Sequence, residues 1–582
     1  MSATSCLATP ASGTARYTLS GAAQLNAASP TSFVKRNQAK LELDGNEFRV
    51  QGPNIYWLGL DENVVPNPSY PSKARVLEIM AVAKAMGATT IRSTSLGVSF
   101  GTGLSIENAL NTFKPDNSAA WDAIDFALFA ARSYGLRLVI PLTDQYDYYH
   151  GGIPTFLRWR NLSSKNFDPF YDLNGQVYQD FRAYIQNLLS HTSPYTNLTL
   201  ASDPTVLAFE TGNELGGYSG KDYPPSVEWT TAISQFLKEL APQTLVVSGS
   251  YGVRKDELEI GTIDIHSDHF YPTYKSRLSP SASTAHSANK PFLVGEYDWT
   301  NQYYLRFRWG YFVLLLPTLL ALSVWFMPKR WWPWNFTLED LATCSCCCGK
   351  KGRKRRRTAM EEERGEYDRM EGETVALSTS AAPLDSPSSK PAFDNSFSAT
   401  SIPILESTPS TTPFPRPKKP RRFIDRPLQI HRWMFSLFLL LLVLPLFGII
   451  YTYLPTPISP FLSSLSSLET TKASSSSSSS SIGDLYWSLF GRTDDGCQYV
   501  QHNDGYTLHY PSDPTAKSGP ARGSGDAVVR LTKHAWKARG ETPFWVQGDG
   551  FDLDKLELRD LPIVAFPQEG LKLANGTVVG GS

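Results

Sequence analysis

From Leu41 to Gly295 the chain alternates short apolar runs with longer stretches in which apolar residues return every three or four positions. The short runs predict strands at 48–58 (FRVQGPNIYWL), 88–92, 136–142, 205–210, 245–249, 262–266 and 292–295. LRLVIPL (136–142) is apolar almost throughout, as a parallel strand covered on both faces requires. The longer stretches predict helices at 72–87, 119–135, 175–189 and 227–240. Ser72 is placed to cap the first of these, and Gly87 to end it. In the second, Trp121, Ile124, Leu128 and Ala131 share one stripe. Strand and helix in alternation predict an α/β fold, a (β/α)8 TIM barrel, with seven strands complete by Gly295. An eighth is needed for closure.

The eighth strand does not come next. Residues 309–327 (WGYFVLLLPTLLALSVWFM) and 433–454 (WMFSLFLLLLVLPLFGIIYTYL) are each long and apolar enough to cross a bilayer, with aromatics near their ends. Between them, 328–432 is basic, then acidic, then rich in Ser, Thr and Pro, which predicts a disordered loop. Its basic flanks place that loop in the cytosol by the positive-inside rule. Two crossings return the chain to its starting side, so the barrel can then be finished there. ISPFLSSLSSL (458–468) predicts an amphipathic helix, the serine run a linker, GDLYWSLFG (483–491) the eighth strand and 525–538 the last helix. The expected organisation is a disordered segment 1–35, barrel strands one to seven in 36–300, and a two-span transmembrane hairpin in 301–457. Barrel closure follows in 458–540, and a C-terminal extension in 541–582.

Composition changes this picture in three places. Lys+Arg and Asp+Glu are 55 each, so mean charge argues neither for nor against nucleic acid. Of six cysteines, Cys344, Cys346, Cys347 and Cys348 crowd beside the first apolar run and a basic cluster, a setting that suits S-palmitoylation. Cys6 and Cys497 remain, a pair the sequence alone neither makes nor excludes. The N-terminal residues lack the apolar core of a secretory signal, whereas the sequons at Asn161, Asn197 and Asn575 suit a lumenal or extracellular domain.

The chemistry rests on two glutamates. Glu214, in ETGNEL, follows the fourth strand and Glu296, in VGEYDW, ends the seventh. Acidic residues at the C-terminal ends of parallel strands lie where such barrels keep their active sites. Two facing carboxyl groups are what glycosidic hydrolysis needs: one to protonate the leaving oxygen, one to attack carbon or to activate water.

NIYWL (54–58), IRSTSLG (91–97), PLTDQYDYYHGG (141–152), ETGNEL, HSDHFYP (266–272), VGEYDWT and LYWSLFGR…HNDGYTLHYP (485–511) come in an order that resembles fungal glycoside hydrolase family 5, of the retaining (β/α)8 clan, in its cellulase-like and endo-β-mannanase-like members. The resemblance implies Glu214 as acid/base and Glu296 as nucleophile. It implies Asn213 as donor to the sugar 2-hydroxyl, Arg92 as the cation holding Glu296 ionised, His269 and Tyr271 as orienting groups, and Trp487 as the sugar platform. Trp57, Tyr146 and Tyr148 are further candidates for the cleft wall. The histidines of HSDH suggest a metal, but the resemblance makes His269 a substrate contact, and neither metal nor cofactor is expected. The implied activity is mannan endo-1,4-β-mannosidase by double displacement, on a polysaccharide partner, with no nucleic acid. A β-glucanase, or a non-catalytic membrane-anchored glycan-binding protein, stands as the alternative. A multi-pass membrane protein with its catalytic domain outside the cytosol is the expected setting.

Overall fold

The structure, a computed structural model, describes residues 29–63, 68–93, 103–218, 222–302, 456–470, 481–546 and 550–566, with shorter stretches elsewhere. Eight parallel strands form its centre: β1 (Val50–Pro53), β2 (Thr90–Arg92), β3 (Arg137–Pro141), β4 (Val206–Glu210), β5 (Leu245–Ser248), β6 (Ile265–Phe270), β7 (Phe292–Tyr297) and β8 (Gly483–Tyr486). Their spatial order follows the chain, with β8 between β7 and β1. Gly483 pairs with both Leu293 and Val50, and Tyr486 pairs with Pro53. The ring closes between β1 and β2, where Asn54 bridges Arg92 and the Ile55 N–H donates to the Arg92 carbonyl at 2.9 Å. Every strand is thus hydrogen-bonded on both edges, which removes the exposed edge of an open sheet.

Both faces of these strands are buried, which is why their sequences read as unbroken apolar runs. Val50, Val139, Leu207, Val247, Ile265, Leu293 and Leu485 fill one cluster, and Val34 and Leu41 from the N-terminal antiparallel sheet (Lys35–Asn37, Lys40–Leu43, Asn46–Glu47) join it. The other cluster lies against the helices α1 (Lys73–Ala85), α2 (Ala119–Ser133), α3 (Gln176–Ser190), α4 (Val227–Leu240), α5 (Lys275–Ser287), α6 (Ile458–Thr470) and α7 (Asp526–Arg539). Between β5 and β6 a 3₁₀ turn, Lys255–Glu257, replaces a helix. Ser72 Oγ caps α1 as expected, accepting from Arg75 N–H. Gly87 follows with φ +94°, and a Cβ there would come within 3.0 Å of the Trp536 ring. Neither the turn nor the packing of α7 against it tolerates a side chain at that position.

Four expectations need correction. The first strand ends at Pro53, and Tyr56–Leu58 form a 3₁₀ turn. The eighth ends at Tyr486, and Leu489–Phe490 pair instead with Leu508–His509. The sixth runs on to Phe270 through four buried polar residues. Helix α5 was not foreseen. Residues 1–28 lie outside the described residues except Thr18–Leu19, which pair with Ile563–Val564 in the C-terminal extension.

The chain divides into one unit of Met1–Phe312 with Gly448–Ser582, and a second of Val313–Phe447. Among the described residues no helix is long and apolar enough to cross a membrane. The two apolar runs, apart from four isolated positions, and the loop with its four cysteines lie outside the described residues.

Candidate active site

The C-terminal ends of the strands surround a cleft of about 570 Å³ into which Glu214 and Glu296 both open. Glu214 sits four residues past the end of β4 with φ +51°. A left-handed conformation is uncommon for a residue with a Cβ and is held here by its neighbours. Leu215 N–H donates to the Gly249 carbonyl and Gly217 N–H to that of Glu214. Glu296 lies within β7 itself. Gly295 precedes it, where a Cβ would fall 2.4 Å from Ser267 Oγ and 2.7 Å from His269 Nε2. Only glycine lets β6 and β7 approach closely enough to set His269 between the two acids.

Arg92, at the end of β2 and 1% exposed, organises the floor. Its Nε donates to Glu210 Oε2 at 2.7 Å, Nη1 to Asn54 Oδ1 at 3.0 Å and to Glu296 Oε1 at 2.6 Å, and Nη2 to Asn213 Oδ1 at 2.8 Å. Burial opposes its charge, but Glu210 and Glu296 outweigh that cost and keep it protonated. Tyr271 Oη donates to the other oxygen of Glu296 at 3.0 Å. His269 Nδ1 lies 2.8 Å from Glu214 Oε1 and 3.7 Å from Glu296 Oε2.

The two acids have different partners: Arg92 and Tyr271 donate to Glu296, and His269 lies against Glu214. Burial pushes the Glu214 carboxyl up to about 7; Tyr146 and Arg92 oppose the rise, and the charges of Asp144 and Asp268 add to it. Burial raises Glu296 as well, with the charge of Glu214 adding to the rise and His269, Arg92 and Tyr271 opposing it. The proton therefore belongs on Glu214 and the charge on Glu296, where a cation and a phenol donate to it. Burial lowers His269, and the charge of Glu296 opposes that fall.

Aromatic rings form the walls. Trp487, hydrogen-bonded through Nε1 to Asp504, stacks on Tyr56 at 5.3 Å and 8°. Tyr146 stacks on Tyr218 at 4.9 Å. Of the residues picked from sequence, Glu214, Glu296, Asn213, Tyr271, Trp487, Tyr146 and Tyr148 line the cleft, while Arg92 and His269 lie buried and bonded to its acids. Trp57 does not reach it. The 3₁₀ turn sends this side chain into the core, 0% exposed, with Nε1 on the Leu489 carbonyl and Arg75 over its ring; Tyr56 takes the cleft position. Sequence reasoning missed Asn54, Glu210, Asp144, Tyr218 and the His502–Tyr506 loop. Glu210 opens the ETGNEL motif and was legible there, had the end of β4 been read as a second acid.

Among the described residues, two groups bring His, Asp or Glu ligand atoms within 4.8 Å of one another: Glu214, His269 and Glu296 in the cleft, and Glu469, Asp484 and His534 between β8, α6 and α7. In the first, Glu296 is already engaged by Arg92 and Tyr271, a donor set made for an anion. In the second, the Gln51 amide donates to both carboxylates.

Residues 31–274 match a family described as GH family 5 beta-mannosidase-like. The resemblance is to glycoside hydrolase family 5. The chain is 29% identical over 260 residues to Mannan endo-1,4-beta-mannosidase 2 of Oryza sativa subsp. japonica, covering 44% of this chain and 55% of the relative. It is 26% identical over 238 residues to Mannan endo-1,4-beta-mannosidase 5 of Solanum lycopersicum, covering 40% and 54%. The chain thus spans about half the length of the curated relatives it matches. Among solved structures, the endo-1,4-beta-mannanase from Rhizomucor miehei aligns at 21% identity and TM-score 0.40 over 47% of this chain and 86% of that one. The endo-beta-1,4-mannanase from Thermotoga petrophila aligns at 15% and 0.44 over 86% and 79%.

Proposed function

We propose that this protein is a retaining β-glycoside hydrolase that cleaves β-1,4-mannan internally. The observation that carries the proposal is the spacing of two unlike carboxyl groups in one cleft, their nearest oxygens within 4.8 Å. That leaves no room for a water between Glu296 and the anomeric carbon, as inversion would need, and suits direct attack by the carboxylate. Glu296 attacks the anomeric carbon as the glycosidic C–O bond breaks, and the proton of Glu214 passes to the leaving oxygen. The ester formed removes the charge on Glu296, and Glu214, now a carboxylate, takes a proton from water. That water attacks the same carbon from the other face and frees Glu296. Asn213 offers its amide N–H to the sugar 2-hydroxyl, and Trp487 carries the apolar sugar face. The mannan preference is supported by the named relatives, each a mannosidase.

The setting belongs to the same proposal: a membrane protein anchored through 309–327 and 433–454, catalytic on the non-cytosolic side, with cysteines 344–348 at the inner leaflet. Three observations support it. Cys497 is disulfide-bonded, which suits an oxidising compartment. Asn161 and Asn197, in two of the sequons, are exposed. The ends of the intervening segment meet on the barrel, where Ile458 N–H donates to Asn301 Oδ1 at 2.6 Å.

The test is product analysis on mannan, cellulose and β-1,3-glucan, with the anomer of the first product followed by NMR. Internal cleavage of mannan with retained configuration is expected, and inverted product would end the double-displacement reading. Preferred glucan cleavage would move the substrate to the β-glucanase alternative. Glu214→Gln should cost roughly 10²–10⁴-fold on polysaccharide, and far less on aryl glycosides whose leaving group needs no proton. Activity should fall as pH rises through about 7, where Glu214 loses its proton. Full activity at pH 9 would show that another group is the acid.

A further inference from the structure

Asn213 can serve a sugar hydroxyl only if its amide is held one way round. Its Oδ1 accepts from Arg92 Nη2 at 2.8 Å, which turns the NH₂ end away from that cation. One N–H of that end donates to Asp144 Oδ2 at 3.1 Å. The second is then the one free to reach a substrate in the cleft that Asn213 lines. Asp144 is itself fixed from three directions. Oδ2 also meets His150 Nε2 at 3.2 Å, and Oδ1 accepts the backbone N–H of Tyr146 at 2.8 Å. His150 Nδ1 is buried without a hydrogen-bond partner, so the ring proton sits on Nε2 and His150 donates. The backbones are locked as well. Asn213 N–H donates to the Thr143 carbonyl, Gln145 N–H to that of Asn213, and Ile153 N–H to that of Asp144.

We propose that Asp144, held by His150, is a positioning residue that fixes the Asn213 amide for the 2-hydroxyl of the cleaved sugar. This rests on the glycosidase reading above. The carboxylate is the group the geometry requires, because all three of its partners donate. Asn at 144 would turn an NH₂ either to Tyr146 N–H or to Asn213 and His150, donor against donor in both cases.

The experiment uses the full chain and a pair of aryl β-glycosides, one with the C2 hydroxyl on the cleaved residue and one without. Asp144→Asn should lose roughly 10- to 100-fold in kcat/KM on the hydroxylated substrate, mostly in kcat, and little on the 2-deoxy substrate. His150→Ala, which leaves the Asp144–Asn213 bond intact, should show the same pattern more weakly. Equal losses on both substrates in both variants would overturn the proposal, as damage to the fold predicts. Asn213→Ala separates the two claims. If it shows the 2-hydroxyl dependence and the Asp144 variants do not, only the positioning role fails. If Asn213→Ala shows none, the assignment of Asn213 beneath it fails as well.

Discussion

At the scale of the residue, the site is a problem of buried charge. Two carboxylates, Glu210 and Glu296, and one guanidinium lie out of water within hydrogen-bond reach, and none is stable there alone. Arg92 resolves this by dividing four hydrogen bonds among Glu210, Glu296, Asn54 and Asn213. A lysine offers three donors from one point and cannot span them. Arg92→Lys should therefore abolish turnover and lower stability together, with Arg92→Ala costing about 3–5 kcal/mol by stranding Glu210 and Glu296. Thermal unfolding of both variants beside Trp487→Ala is the check. An Arg92→Ala protein that melts with the parent would mean that the acids find protons or partners elsewhere. Much of this was legible from sequence, because a charged residue closing an apolar strand has few other reasons to be there. Glu296 is legible that way, whereas the role of Arg92 comes only with the family resemblance. Trp57 falls away from the cleft for a physical reason: the strand expected over 48–58 stops at Pro53. The turn that follows rotates Tyr56 into the cleft and Trp57 beneath it.

At the scale of the element, strands announced themselves where they bury apolar side chains and hid where they bury polar ones. β6 continues through His266, Ser267, Asp268 and His269, all buried, so hydropathy cut it short at the point where it becomes the site. Helix α5, KSRLSPSASTAHS, buries only Leu278, Ala282 and Ala285 and carries too little periodicity to be seen. Closure by β8 is secured by a second polar cluster. His534 of α7 meets Asp484 of β8 at 2.8 Å, and Gln51 of β1 donates to Asp484 and to Glu469 of α6. Burial opposes the charge on His534, but Asp484 outweighs it and holds the imidazole up at about 9. Burial, with Asp484 adding, lifts Glu469 to about 8. Both values lie above those of the unfolded chain, about 6.5 and 4.3, so folding favours the protonated forms. Their contribution is complete below the unfolded values and disappears as pH rises through 8 and 9. The melting temperature should fall between pH 6.5 and 9, and Glu469→Gln, which cannot ionise, should flatten that fall by roughly 2–4 °C. Parallel pH curves for parent and variant would place the lost stability elsewhere.

At the scale of the whole molecule, one question is how a barrel survives roughly 150 residues inserted between its seventh and eighth strands. The answer lies at the two ends of that segment. Asn301 holds Ile458, while Thr273 holds Thr456 through both its carbonyl and its hydroxyl at 2.6 Å. The barrel thus fixes the points where the chain leaves and returns, and β8 docks between β7 and β1 by its own pairing. Joining the two ends of a flexible segment costs entropy that grows only with the logarithm of its length. Replacing residues 303–455 with about ten Gly and Ser residues should spare the fold and relieve about 2 kcal/mol of closure entropy. The shortened chain should melt no lower than the parent and keep its activity on soluble oligosaccharides. If the proposed anchoring holds, the full chain should be found in the membrane fraction and the shortened chain should not. Loss of folding would mean that the segment supplies part of the barrel core. An unchanged soluble distribution for both chains would instead remove the membrane anchor while leaving the active site as described.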